Sequence, residues 1–226
     1  MKKDDALFRA VVIALFLVLL PIMIIFSGLR YSETPTTSNL PEYASPWPPV
    51  VGLEYPDLEL IDQDGEFFKL SYLKGKVIVV EPIGMNCPAC QGYSGANELG
   101  PFGNNEVQPH ALSFQTLFPR YAQGLELPHR DVVFVQLLLY DLNLEAPTPA
   151  DARKWAKHFQ LHRKHNHFVA VPPADLRGKA SFGMIPGFQL IGRDFVLRSD
   201  STGHRPKDGL YRDLIPMIPR LLKEKP

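Results

Sequence analysis

Two cysteines with two residues between them are the first side chains in this sequence whose type and spacing can do chemistry. They lie in Cys87-Pro88-Ala89-Cys90, and the 226 residues contain no other cysteine. Several roles compete for such a pair. As a structural staple it would close a loop so small that it contributes roughly 2 kcal/mol or less by loop-closure entropy. As a zinc site it supplies only half of the usual ligands. Two inert buried thiols would more often lie apart. A redox pair fits better, because the residues from Cys87 to Gln91 start a helix. The free N–H groups and the dipole at a helix start favour a thiolate at Cys87. Pro88 suits the first helical turn, where its missing N–H costs nothing. Cys90, one turn along, can then attack a mixed disulfide on Cys87 and release the bound substrate.

The pair needs a frame. Lys76 to Glu81 (KVIVVE) is an apolar β-branched run, the pattern of a buried parallel strand. Before it, 58–61 and 66–70 read as short strands around Asp62-Gln63-Asp64-Gly65, a strong turn signal. Asp131 to Leu139 is a second buried strand. Thr148-Pro149-Ala150-Asp151 starts a helix with Thr148 as cap, Pro149 at the first position and Asp151 three residues after the cap. Ala152, Trp155, Ala156 and Phe159 give that helix one apolar face. A helix over 111–123, with Pro119 able to kink or end it, a strand over 167–171, a hairpin of 188–191 with 195–197, and an amphipathic segment over 210–222 complete the pattern. Gly92, Gly95, Gly100 and Gly103 break the helical signal, so 92–109 is expected to be an irregular insertion. The order ββ–β–α–β–α–β–β–α predicts an α/β domain: a mixed sheet with helices on both faces.

Composition sets the outer bounds. The chain is 45% hydrophobic and 21% charged, with 24 basic and 24 acidic residues. Zero net charge argues against a general nucleic-acid binder. The apolar content is unevenly spread. Ala10 to Leu29 is almost wholly apolar, and as a helix it spans about 30 Å, the thickness of a bilayer core. No convincing cleavage site follows, so an uncleaved anchor is expected rather than a removed signal peptide. Lys2, Lys3 and Arg9 precede the span and only Arg30 follows closely, which places 1–9 in the cytoplasm and the rest outside. The Pro-, Ser- and Thr-rich stretch over 30–50 reads as an extended linker. The soluble domain then occupies 51–226.

At this point the sequence resembles a known family. YPDLELIDQDGEFFKLSYLKGKVIVVEPIGMNCPAC (55–90) is similar to the opening of thioredoxin-like proteins of the TlpA/redoxin type, often tethered to the bacterial inner membrane and facing the periplasm. The likeness continues through 151–159 and 183–191 and covers most of the soluble domain. It implies a thioredoxin-like fold and a thiol–disulfide oxidoreductase with no cofactor. Cys87 looks like the attacking cysteine and Cys90 like the resolving one. Pro186 matches the cis-proline facing the pair, and Ile185 before it is placed to pair with a substrate peptide. Glu81 falls where thioredoxins carry a buried acid that assists proton transfer to the second cysteine; in an apolar strand its pKa would be raised, as a general base requires. The alternative for Glu81 is a strand-end carboxylate reaching solvent. Two positions depart from the family: Asn86 replaces the usual Trp, and Gly187 the usual Thr. Both alter the surface against which a substrate would lie. The implied partners are thiols or disulfides of exported proteins and an electron donor in the membrane or periplasm. The implied location is the bacterial inner membrane, single-pass, with the C-terminal domain in the periplasm.

Other constellations compete less well. His158, His162, His165 and His167 could share a helical face as metal ligands would, but His167 should already be entering a strand, and a solvated helix end is expected instead. A Sco-like copper metallochaperone shares the outline and the anchor. That family uses CxxxC and a distant His, however, and 182–186, where the His would fall, has none. Peroxiredoxins carry Thr or Ser upstream of the reactive cysteine, whereas Gly84-Met85-Asn86 offers neither. A non-catalytic docking module would draw on Tyr93, Phe102 and Phe114, which are better explained as core.

Overall fold

The computed structural model describes residues 45–224. The expected anchor over 10–29 and the linker up to residue 44 lie outside the described residues. Among the described residues no helix is long and apolar enough to cross a membrane.

Alternation along the central strands decides the architecture. Strand β3, Val77–Gly84, is buried along its whole length, and so is β4, Val132–Tyr140. Val77 and Val79 point into one apolar cluster, Ile78 and Val80 into another. A strand whose two faces are both covered must lie mid-sheet. Five further strands complete that sheet: β1 (Glu59–Asp62), β2 (Phe67–Lys69), β5 (His167–Val171), β6 (Gln189–Ile191) and β7 (Leu197–Asp200). The order is β2-β1-β5-β4-β3-β6-β7. Strands β3, β4 and β5 are parallel; β6, β7, β1 and β2 pair antiparallel.

Among the described residues, six α-helices flank the sheet: α1 (Pro88–Ser94), α2 (Ala96–Leu99), α3 (Phe114–Tyr121), α4 (Pro149–His158), α5 (Lys179–Gly183) and α6 (Ile215–Leu221). Helix α4 brings Ala152, Trp155 and Ala156 to one face; α3 and α6 bring Phe114, Phe118, Ile215 and Ile218 to the other. The capping box of α4 forms as the sequence predicts. Thr148 Oγ1 accepts from the Asp151 N–H, and the Asp151 carboxylate accepts from the Thr148 N–H at 2.9 Å.

Some boundaries differ from expectation. Residues 92–99 are largely helical rather than an irregular insertion: α1 runs to Ser94, turns at Gly95, whose φ is 111°, and continues as α2. Gly92 is a packing residue, since a Cβ there would lie 2.5 Å from the Ala111 Cβ. The irregular part begins at Gly100. Strand β7 starts at Leu197 instead of Phe195, because Phe195 occupies the turn itself with φ 69°. Pro119 neither ends nor precedes a break; it sits inside α3, which continues to Tyr121.

Candidate active site

Strand β3 delivers the chain to the start of α1, and the two cysteines sit on that junction. Cys87 is the N-cap and half-buried; its sulfur accepts the Cys90 N–H at 3.3 Å. Cys90 is fully buried, and both are free thiols. The Cys90 thiol donates to the Cys87 sulfur, and with the Cys90 and Ala89 N–H groups it outweighs partial burial. The Cys87 pKa is thereby lowered to about 7. Cys90 moves the other way, well above an ordinary thiol. Burial is the main cause, followed by donation to Cys87 and the nearby charges of Cys87 and Glu81. Near neutral pH Cys87 is therefore thiolate in about half of the molecules, while Cys90 stays a protonated thiol.

Glu81, on β3, is buried rather than reaching solvent. Desolvation pushes its pKa well up, a hydrogen bond from Gln136 lowers it in part, and the Cys87 charge raises it again. Gln136 stands opposite Glu81 on β4. Its amide nitrogen donates to Glu81 Oε2 at 2.9 Å and to Ser94 Oγ at 2.8 Å. Its amide oxygen accepts from Trp155 Nε1 at 3.0 Å. Glu81 Oε1 is buried without a hydrogen-bond partner among the described residues. One oxygen is thus fixed while the other is left for a proton.

The Ile185–Pro186 peptide bond is cis, as the resemblance implied. Gly84, Asn86, Cys87, Ile185 and Pro186 line one cavity of about 280 Å³. The Ile185 N–H donates to the Phe182 carbonyl at 3.2 Å, so pairing with a client would fall to the Ile185 carbonyl. Gly187 explains its own departure from the family: a Cβ would come within 2.3 Å of the Thr202 Cα and 2.4 Å of the Ser201 carbonyl. That close approach, with the Gly203 N–H donating to the Pro186 carbonyl at 2.7 Å, brings His204 to the cavity wall.

Sequence reasoning missed Gln136 and His204. Gln136 carried a signal, the lone polar residue in the apolar run 132–139. His204 carried none, because only the folding of 201–203 against the proline loop brings it in. The other histidines separate. His158 closes α4 against the Gly100 carbonyl, His162 and His165 flank a short 3-10 turn, and His167 is buried in β5. Among the described residues no cluster of three His, Cys, Asp or Glu side chains is placed to hold a metal ion.

No protein-family model matches the sequence, and no curated protein matches it. Solved structures do match. A member of the Sco family of cytochrome c oxidase assembly proteins, reported for a disulfide switch, has a TM-score of 0.50 at 17% identity, over 82% of this chain and 99% of its own. A thioredoxin-like superfamily protein has a TM-score of 0.49 at 22% identity, over 77% and 99%. A thioredoxin-like protein from Porphyromonas gingivalis has 0.46 at 14% identity, over 75% and 92%. The fold is thioredoxin-like. Parallel β3, β4 and β5, antiparallel β6, a cysteine pair at the start of the helix after β3 and a cis-proline before β6 are its marks here.

Proposed function

We propose that this chain is a membrane-anchored thiol–disulfide oxidoreductase that reduces disulfides in exported proteins on the periplasmic side. The observation that carries the reading is the split between the two thiols: Cys87 lowered to about 7 at the pocket mouth, Cys90 raised and buried behind it, with a buried carboxyl beside them. The Cys87 thiolate attacks one sulfur of a client disulfide. A Cys87–client bond forms, the client S–S bond breaks, and the departing client thiolate takes a proton from solvent. Cys87 is then neutral, and its repulsion of both Glu81 and Cys90 disappears. Both groups become easier to ionise, so Glu81 loses its own proton more readily and, as carboxylate, accepts the proton of Cys90. The Cys90 thiolate attacks the Cys87 sulfur, the Cys87–client bond breaks, and the departing client sulfur takes a proton from solvent, so the client leaves as a dithiol. Two electrons have passed to the client and Cys87 is joined to Cys90, awaiting a thiol donor.

A Cys90→Ala variant of the full chain lacks the resolving sulfur. Isolated membranes should yield covalent adducts through Cys87 that dithiothreitol releases. Recovering none, together with no disulfide turnover by the wild type, rejects the reading.

One observation favours a second reading. His204 joins Cys87 on the cavity wall, and thiolates with imidazole suit Cu(I). Because the three side chains are not clustered as a metal site here, a Sco-like copper carrier would bind Cu(I) as cargo on the two thiols, one per chain, drawing His204 in on binding, and would lose it in Cys87→Ser, Cys90→Ser and His204→Ala alike.

A further inference from the structure

Beside the Cys87 sulfur the fold keeps apolar side chains in solvent. Phe182 is 58% exposed and Leu144 47%, yet both line the cavity that contains Cys87. Apolar surface in water costs about 25 cal/mol per Å², so mobile side chains of this kind would fold inward. These two are prevented. Leu144 has φ 66°, an uncommon backbone conformation for such a residue. The turn imposing it is tied at both ends. The Asp141 carboxylate accepts the N–H groups of Asn143 and Glu145 at 2.7 and 2.8 Å. Arg177 donates to the Leu144 carbonyl at 3.1 Å and to the Glu145 carboxylate at 2.9 Å, while its remaining nitrogens hold Asp175. Phe182 stands edge-on to Tyr140 at 5.8 Å. The Tyr140 hydroxyl donates to the Gly178 carbonyl and accepts the Gly178 N–H, and Trp47 Nε1 donates to Ser181 Oγ in the same helix.

The opening is therefore built in advance, and its charge is accounted for. Arg177, Asp175 and Glu145 pair with one another. No Asp, Glu, Lys or Arg is among the residues lining the cavity. Its volume of about 280 Å³ falls just below the roughly 300–1,000 Å³ of pockets for drug-sized ligands. Whatever enters must be attached within reach of the sulfur that Cys87 attacks.

We propose that the pocket receives a bulky apolar side chain, aromatic or branched aliphatic, from the residue next to the client's reactive cysteine, and that Phe182 and Leu144 select clients by it. This rests on the disulfide-exchange reading above and adds the chemistry of the client. Such side chains are buried once a protein has folded, so the clients are segments still extended or locally open.

The test uses the full chain in detergent, dithiothreitol as the thiol donor that returns the pair to its reduced state (its direct reaction subtracted), and three disulfides. Two are synthetic peptides, each joined through its single cysteine to a small thiol and identical except for Phe or Ser next to that cysteine. The third is hydroxyethyl disulfide, which has no apolar side chain. The wild type should reduce the Phe peptide at least about tenfold faster in kcat/KM than the Ser peptide. Phe182→Ser and Leu144→Ser should each bring that ratio below about threefold. The ratio is taken within each variant, so a general loss of activity does not imitate the effect. Equal rates on both peptides, with hydroxyethyl disulfide consumed, overturn the pocket proposal and leave the oxidoreductase reading standing. A wild-type ratio that both variants preserve also overturns it. Consumption of none of the three rejects both.

Discussion

The two sulfurs differ because each helps shift the other. Cys90 is the donor that most lowers Cys87, and giving that hydrogen bond raises Cys90. In Cys90→Ala the donor is lost, so the pH inflection for alkylation of Cys87 by iodoacetamide should move from about 7 toward the ordinary thiol value of about 8.5. Cys90→Ser keeps a hydroxyl donor and should move less. An inflection that stays in place in both variants would assign the thiolate to the Ala89 and Cys90 N–H groups instead. Glu81 belongs to the second half of the reaction. In Glu81→Gln the amide cannot accept the Cys90 proton. Resolution of a Cys87–peptide mixed disulfide should slow by about a hundredfold, while the first attack changes only a few-fold. Rapid-quench measurement separates the two steps, and equal slowing of both would make Glu81 a structural residue.

At the scale of elements, the proline loop and the end of β7 are locked together through Gly187. Gly187→Ala puts a Cβ against the Ser201 and Thr202 backbone, which has no flexible end to yield. The expected loss is about 1–3 kcal/mol in urea unfolding, and separation of the two segments also removes His204 from the cavity wall. Unchanged stability would show that this contact relaxes freely. The same junction marks the limit of what the sequence reveals. β3 and β4 are legible because burial on both faces leaves unbroken apolar runs, and the start of α4 because its cap is local. Gly92 reads as a helix breaker when its real role is a close approach to Ala111, a contact nineteen residues along the chain that no local pattern encodes. Cys87, Cys90, Glu81 and Pro186 could be placed because each has a fixed position relative to a strand or helix start. Leu144, Phe182 and His204 could not, since two separate loops and helix α5 converge on the thiol pocket.

For the whole molecule, two buried ionisable side chains bound the pH range of the fold from opposite sides. Glu81 has a raised folded-state pKa, so its stabilising contribution is complete in acid and is lost as pH rises toward that value. His167 is the reverse. Burial, followed by the charges of His162 and His165, lowers it to about 3 from an ordinary 6.5. Its ring is held against Phe134, ring centres 4.5 Å apart, and its Nδ1 is 3.2 Å from the Gln115 amide nitrogen. Its Nε2 is buried without a partner among the described residues. Stability from keeping His167 neutral is therefore present above pH 6.5 and drains as pH falls toward 3. The slope is at most about 1.4 kcal/mol per pH unit for one proton. His167→Gln keeps a polar group beside Gln115 and removes the titration. Unfolding in urea across pH 4 to 7 should give a shallower acid limb for this variant than for the wild type, with the two curves meeting or crossing as the pH falls. Parallel curves over that range would exclude His167 as the group that sets acid stability.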